Sequence, residues 1–144
     1  ESLEAIAAAD VIVLGPGSWF TSVLPHLLIP DQYRAIVESR ARRIVVLNLD
    51  PREDLEMSGA AIDAHLGVLQ ELAPDLRIDA VIADPAHVDD AEALRARCRS
   101  LGAHLEFAEV GYPGGVRPGV HDPGRLAVAF ESILRAWQDA LPWR

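Results

Sequence analysis

Four short apolar runs, separated by longer segments of helical periodicity, limit what this chain can fold into. Three of them, Val11–Leu14, Ile44–Leu47 and Ala80–Ala83, are continuous, and the fourth, Leu105–Val110, contains two glutamates. Continuous apolar stretches of this length are typical of strands that are buried on both faces. Strands that alternate with helices predict a parallel sheet with right-handed crossovers. We therefore expect an α/β fold, a Rossmann-like three-layer sandwich with a mostly parallel sheet.

The chain has 144 residues, a length that fits one domain. Four strands make a thin sheet, since doubly wound folds commonly have about five or six. Residues 1–9 have the pattern of the last turns of a helix, with no strand ahead of them. We expect residues 1–144 to form a single α/β domain that lacks its N-terminal strands and is the C-terminal part of a larger domain.

The composition excludes several classes of protein. Twenty-two acidic residues stand against 13 basic ones, all of them arginine, and the net charge is −9. A nucleic-acid-binding protein would show a basic face, and none is visible. The longest apolar runs are too short for a membrane span. A single cysteine, Cys98, excludes an internal disulfide framework and fits a reducing cytosol.

The turn after the first strand carries the strongest signal for a binding site. Gly15-Pro16-Gly17-Ser18 follows the strand directly, and Thr21 and Ser22 come shortly after, where a helix is predicted to begin at Ser18. Glycines let a ligand approach the backbone closely. Free N–H groups and the helix dipole favour an anion at such a position. The pattern therefore predicts a phosphate-binding turn.

Three familiar motifs do not fit this turn. A Walker A loop needs a lysine, and the chain has none. A complete dinucleotide fingerprint has a third glycine where Phe20 stands. A nucleophile elbow has a glycine two residues before and two residues after its serine, and around Ser18 those positions are Pro16 and Phe20. A tight turn that binds nothing stays open as an alternative.

Other side chains are weaker candidates. His26 could meet a phosphate, although a solvated helix histidine fits it better. His65 is as well explained by a structural position as by a ligand. Asp89 is expected to cap a helix, which weakens a metal cluster, and the predicted face of that helix places Cys98 in the core. The acidic cluster comprises Asp84, His87, Asp89 and Asp90, and Arg117 is the one cation of a glycine-rich loop, residues 111–120.

The first motif resembles the signature of the YvcK-like gluconeogenesis factors, in the CofD-like superfamily. The resemblance rests on residues 9–18, on Thr21-Ser22 and on Leu24-Pro25. Later positions agree in order and spacing, so that the similarity covers nearly the whole chain. These positions are Asn48-Leu49, Glu56, Gly59, His65, His121-Asp122-Pro123 and Leu126.

The resemblance implies a cytoplasmic, Rossmann-like protein that binds the nucleotide-sugar UDP-N-acetylglucosamine and acts in carbon-source use and cell-wall morphogenesis, hence in cell shape. Carried onto this sequence, it implies a ligand site with phosphates held by the turn and an asparagine at the adjoining strand end. The implied ligand-binding residues are Gly15, Pro16, Gly17, Ser18, Thr21, Ser22 and Asn48. It assigns no role to Glu56 or His65, no catalytic residue and no metal ligand.

Three functions stay open on the sequence. The first is a non-catalytic nucleotide-sugar-binding regulator. The second is a CofD-type transferase that moves a phospholactyl-like group from a nucleotide-activated donor, for which the resemblance implies Mg²⁺ as cofactor. The third is an interaction module whose turn binds nothing. The expected partner is a nucleotide-sugar or another phosphate-bearing ligand, and assembly into a homo-oligomer stays open.

Overall fold

The computed structural model describes residues 1–49 and 62–140. Helices and strands alternate along the chain as the apolar runs predict. In chain order they are α1 (Ser2–Ala8), β1 (Val11–Leu14), α2 (Leu24–Leu28), α3 (Pro30–Glu38), β2 (Arg42–Val46), α4 (Ile62–Leu72), β3 (Ala80–Ala83), α5 (Ala91–Leu101), β4 (His104–Phe107) and α6 (Pro123–Asp139). A π-helical turn, Trp19–Val23, precedes α2. None of the described helices is both long and apolar enough to cross a membrane.

The four strands form one sheet in the order β1-β2-β3-β4, and every neighbouring pair is parallel. The register sets Val13 beside Ile44, Val45 beside Val81, and Val81 beside Leu105. Because all strands run the same way, their carboxyl ends lie along one edge of the sheet. The predicted α/β class with a parallel sheet is confirmed.

The two faces of the sheet are covered by different helices. When strand order follows chain order, right-handed crossovers bring every connecting helix to one face. Accordingly α2 to α5 pack on the face that carries Val45 and Val81. Of the described helices, only α6 packs on the opposite face, which carries Ile44 and Ile82. Alternation along each strand produces this division. Both faces are therefore buried at β2 and β3, as their apolar runs predict.

The bounds of β2 and β4 differ from the sequence expectation, and Asp84 explains where β4 ends. β4 was expected to extend to Val110 but ends at Phe107. The N–H groups of Val110 and Gly111 donate to Asp84 Oδ2 at 2.8 and 3.0 Å instead of to a neighbouring strand. β2 starts at Arg42 instead of Ile44, because Arg42 is already in register with Val11.

The N-cap of α5 is Asp90, so the expectation that Asp89 caps this helix is wrong. Asp90 Oδ1 accepts hydrogen bonds from the N–H groups of Glu92 and Ala93 at 3.0 and 2.9 Å. The helix ends at Gly102, whose φ of +67° gives the left-handed C-terminal stop that was expected. On this helix Leu94 and Cys98 are buried, as the apolar stripe predicts.

Candidate functional site

The turn after β1 contains two glycines in conformations that side chains rarely adopt. Gly15 has a φ of +83° and Gly17 a φ of +141°. A Cβ on Gly15 would lie 2.7 Å from the Val46 carbonyl oxygen, and one on Gly17 would lie 3.3 Å from the Ser22 Cβ. The peptide bond between Gly15 and Pro16 is cis. Glycine at these positions lets the turn pass closely over the end of β2.

Asn48 lies two residues beyond β2 and holds this turn with two hydrogen bonds to a single residue. Its Oδ1 accepts from the Gly17 N–H at 2.9 Å, and its Nδ2 donates to the Gly17 carbonyl oxygen at 2.9 Å. The side-chain amide thus pairs with Gly17 as a neighbouring strand would. The Gly17 N–H already donates to Asn48. The hydroxyl and the backbone N–H of Ser18 are therefore the next groups of the turn that could donate to a ligand.

A pocket of about 450 Å³ opens beside the turn, at the carboxyl ends of β1 and β2. In parallel α/β sheets this edge is where ligands bind. The pocket is lined by Pro16, Gly17, Ser18, Asn48, Gly119, Val120 and His121. Distant parts of the chain, the glycine turn and the segment before α6, therefore meet around one cavity.

Four of the seven residues implied by the resemblance line this pocket: Pro16, Gly17, Ser18 and Asn48. The other three are placed beside it. Gly15 packs against the Val46 carbonyl beneath the turn. Thr21 and Ser22 are exposed on the π-helical turn that follows. Sequence reasoning did not propose Gly119, Val120 or His121 as site residues, although His121 was noted within the pattern before the last helix.

The helix expected from Ser18 begins as a π-helical turn instead of an α-helix. Pro25 has no N–H to donate to the carbonyl four residues back, at Thr21, and the chain departs from α geometry just there. Ser22 N–H donates to the Ser18 carbonyl oxygen at 2.8 Å. The widened turn directs Trp19 inward, where its side chain is 2% exposed.

Trp19 anchors the turn by stacking on His65 of α4. Their rings are parallel to within 12° and their centroids lie 5.3 Å apart. His65 is 1% exposed, so its ring is buried on the Trp19 side of the sheet. Glu56 and Gly59, which accompany it in the family pattern, lie outside the described residues.

His121 is fixed at the pocket by contacts to two other elements. Its Nε2 lies 3.1 Å from the Leu47 carbonyl oxygen. Its backbone forms an antiparallel bridge with Gly111, and the next residue, Asp122, donates its N–H to the Val110 carbonyl oxygen at 2.7 Å. The glycine-rich loop is therefore closed at its base, and the His121 ring is positioned against the end of β2.

Burial lowers the pKa of His121 below its ordinary value of 6.5. The hydrogen bond to the Leu47 carbonyl and the carboxylate of Asp84 oppose this effect, and His87 adds to it. Because a carbonyl oxygen can only accept, Nε2 carries a proton in either charge state. At neutral pH the ring is therefore neutral, with its proton on Nε2 and a lone pair on Nδ1.

The free energy of unfolding is expected to fall as the pH is lowered from 7.5 through about 6.5. His121 has a lower pKa in the folded chain than in the unfolded chain, so the unfolded chain binds more protons in this window. The contribution of His121 to stability is lost until the pH passes below its folded pKa, and this contribution does not change further at lower pH. Urea unfolding at pH 7.5, 6.5 and 5.5 tests this. His121→Gln should unfold with a weaker pH dependence, and identical slopes in both proteins would contradict the assignment.

Two members of the acidic cluster considered as a metal site, Asp84 and Asp90, serve structural roles. Asp84 is 6% exposed, and its carboxylate also accepts from the Ala86 N–H at 3.0 Å, in addition to Val110 and Gly111. Asp90 caps α5. In the ranges 1–49 and 62–140, three or more His, Cys, Asp or Glu side chains are nowhere grouped to hold a metal ion.

The remaining candidates lie away from the pocket lining. His26 is exposed, and its Nδ1 lies 3.0 Å from Gln32 Oε1. Arg117 stacks over the Tyr112 ring at 5.1 Å. Cys98 is buried, and burial raises the pKa of its thiol to about 11, so that it is a core residue and not a nucleophile.

Residues 1–106 match the profile of the family described as "2-phospho-L-lactate transferase CofD". The chain belongs to the CofD family. It is 41% identical over 136 residues to a protein named "Putative gluconeogenesis factor" from Mycobacterium tuberculosis strain H37Rv, and 39% identical over 143 residues to one of the same name from Mycobacterium leprae. These alignments cover 92% and 97% of the chain but 39% of each relative, so the chain spans well under half of their length.

Solved structures agree with this assignment. A crystal structure of protein BH3568 from Bacillus halodurans superposes with a TM-score of 0.64 at 27% sequence identity. A second crystal structure of BH3568, described there as a member of the UPF0052 family, gives a TM-score of 0.62. In both, the match covers 92% of this chain and 45% of the other. The predicted resemblance to YvcK-like gluconeogenesis factors is confirmed.

Proposed function

We propose that this chain contributes the binding turn of a cytoplasmic nucleotide-sugar-binding regulator of the UDP-N-acetylglucosamine type, linked to carbon metabolism and cell-wall morphogenesis. The observation that carries the proposal is the pocket at the carboxyl edge of the sheet, which is lined by Ser18, by His121 and by Gly17, the residue that Asn48 holds. The name gluconeogenesis factor, given to the relatives, supports the link to carbon metabolism.

The chemistry of the turn suits a phosphate. Ser18 supplies a hydroxyl and a backbone N–H at the start of a helical turn, and no side-chain cap from Ser18 is present in the described structure. An anion placed there meets the exposed N–H groups and the positive end of the helix dipole. Among the described residues that line the pocket there is neither a carboxylate nor an arginine. Backbone and hydroxyl donors would therefore provide the phosphate contacts from this chain.

We place the other wall of the site in a further part of a longer protein. The relatives extend well beyond the matched region. Within the described ranges β1 pairs only with β2, so its outer edge is open, and Val13 on this strand is 44% exposed. An edge strand with an exposed apolar side chain suits pairing with a further strand. Binding experiments therefore use the intact protein.

Calorimetric titration with UDP-N-acetylglucosamine tests the proposal, and Asn48→Ala is expected to weaken binding about tenfold or more. The variant removes both bonds that hold Gly17, and each such bond is worth about 1 kcal/mol. Gln32→Ala is the matched control, because it truncates an exposed amide that contacts His26 outside the pocket. Its affinity should equal that of the wild type.

A lowered melting temperature would show that Asn48→Ala has a folding defect. In that case Asn48→Asp serves as the second variant. It keeps an acceptor for the Gly17 N–H but places a negative charge in the pocket, so it should bind the diphosphate poorly. Absence of binding by the wild-type protein, or equal affinities for wild type and a folded Asn48→Asp variant, would overturn the proposal. The first of these results would favour the interaction-module alternative.

The description of the matched family favours a second candidate, a transferase of the CofD type. Such an enzyme would consume a nucleotide-activated donor in the presence of Mg²⁺. Incubation of the intact protein with donor, acceptor and Mg²⁺, followed by chromatography, separates the two functions. A regulator leaves donor and acceptor unchanged, whereas release of the nucleotide with formation of a phosphodiester product would establish the transferase.

A further inference from the structure

The pocket has two chemically different sides. At the glycine turn, Ser18 lines the pocket and offers a hydroxyl that makes no capping bond to the described π-helical turn, together with its backbone N–H. On the opposite side stands His121, which reaches the pocket from the segment that precedes α6. Ionised phosphate oxygens accept hydrogen bonds and cannot donate them. The two sides therefore favour different parts of one ligand.

The orientation of His121 decides which ring nitrogen meets a ligand. The bond between Nε2 and the Leu47 carbonyl oxygen, at 3.1 Å, fixes one end of the ring. Nδ1 has no hydrogen-bond partner among residues 1–49 and 62–140. With the proton held on Nε2, a neutral ring presents Nδ1 as an acceptor. A ligand group that binds there has to bring a donor.

We propose that His121 determines specificity for the uncharged part of the ligand, by accepting at Nδ1 a hydrogen bond from a hydroxyl or an amide N–H. The phosphates lie at the Ser18 side, away from the imidazole. This inference rests on the proposed binding of a phosphate-bearing ligand in the pocket. It adds that a ligand made of phosphate alone gains nothing from His121.

Two other roles are possible for this histidine and give different results. A purely positioning residue would act through Leu47 on the neighbouring Asn48, and so on the Gly17 turn. A cationic phosphate ligand would contact the diphosphate directly. Burial opposes the second role, since it lowers the pKa of His121 and keeps the ring neutral at pH 7. The choice of variants and ligands separates all three roles.

His121→Gln and His121→Asn form a matched pair. The longer glutamine amide can still donate to the Leu47 carbonyl oxygen, but it leaves no acceptor at the Nδ1 position. The shorter asparagine keeps an oxygen near the Nδ1 position and cannot reach Leu47. One variant therefore retains the structural bond, and the other retains the proposed ligand contact.

Binding of UDP-N-acetylglucosamine and of the Mg²⁺ complex of inorganic diphosphate to the intact protein tests the inference at pH 7.5, because free diphosphate keeps a proton at this pH and could donate a hydrogen bond. His121→Gln is expected to weaken the nucleotide-sugar about 5- to 10-fold, the loss of one neutral hydrogen bond, with diphosphate affinity unchanged. His121→Asn is expected to keep the ratio of the two affinities close to that of the wild type. Melting temperatures confirm that both variants are folded.

Other outcomes overturn the inference in recognisable ways. Equal affinities of wild type and His121→Gln for the nucleotide-sugar would leave the histidine only a positioning role. A parallel loss of diphosphate affinity in His121→Gln would mean that the ring contacts phosphate. Wild-type protein that binds neither ligand would remove the proposed function as well, and is thereby distinguished from a failure of the His121 assignment alone.

Discussion

Gly15→Ala is expected to lower the free energy of unfolding by about 3 kcal/mol, a sum of backbone strain and steric overlap. The φ of +83° costs a side-chain-bearing residue about 1–2 kcal/mol. The new Cβ would lie 2.7 Å from the Val46 carbonyl oxygen. That oxygen belongs to β2 at the centre of the sheet, where Val46 pairs with Ile82 and cannot move aside cheaply.

Gly102→Ala is the matched control for this prediction. Gly102 also has a positive φ, +67°, but a Cβ there would meet nothing within 4 Å. Gly102→Ala is therefore expected to lower the free energy of unfolding only through the backbone conformation, by about 1 kcal/mol. Urea unfolding of the two variants measures the difference. Equal losses of stability would contradict the close approach of the turn to β2.

Asp84→Ala is expected to cost about 3 kcal/mol or more, because buried N–H groups would lose their acceptor. The carboxylate accepts from the Val110 N–H at 2.8 Å and from the Gly111 N–H at 3.0 Å. Val110 is fully buried, so no water can replace the lost bond without rearrangement. The base of the loop that carries His121 would be released, and binding in the pocket should weaken as well.

Asp90→Ala separates the effect of burial from that of the bonds themselves. Asp90 also accepts from two backbone N–H groups, at 3.0 and 2.9 Å, but at the exposed start of α5. Loss of such a cap costs about 1 kcal/mol. Chemical denaturation should therefore rank Asp84→Ala well below Asp90→Ala in stability. The reverse order would contradict the structural role given to Asp84.

Most of the fold follows from local patterns in the sequence. The apolar runs around Val45 and Val81 predict buried parallel strands, and the parallel sheet then sets all carboxyl ends along one edge. The glycine turn after β1 identifies that edge as the ligand side. These inferences need only the period of the side chains and the handedness of the crossovers.

The rest of the site depends on contacts between distant parts of the chain. Nothing in the local sequence shows that Asn48 pairs with the backbone of Gly17, or that His121 donates to the Leu47 carbonyl. Asp84 illustrates the same limit, because its position after a strand suits a metal ligand as well as a loop anchor. Only the three-dimensional arrangement shows that backbone N–H groups occupy its carboxylate.

A buried arginine is a further feature that local pattern does not predict. Arg43 directly precedes the apolar run that begins at Ile44, yet its side chain is 4% exposed and donates to the carbonyl oxygens of Ile36, Val37 and Ser39. Burial lowers the pKa of its guanidinium, and the nearby Asp79 opposes that effect. The side chain satisfies the C-terminal carbonyls of α3, which the sequence alone leaves without a partner.

The central claim is that the nucleotide-sugar binds in the pocket between the glycine turn and His121. NMR of the intact protein labelled with ¹⁵N-glycine, titrated with UDP-N-acetylglucosamine, tests it most directly. Gly17 and Gly119 line the pocket, whereas Gly67 on α4 and Gly102 after α5 do not. The amide signals of Gly17 and Gly119 should shift together at one dissociation constant, with Gly67 and Gly102 unchanged. Saturable shifts confined to Gly67 or Gly102, or no shift at Gly17, would contradict the claim.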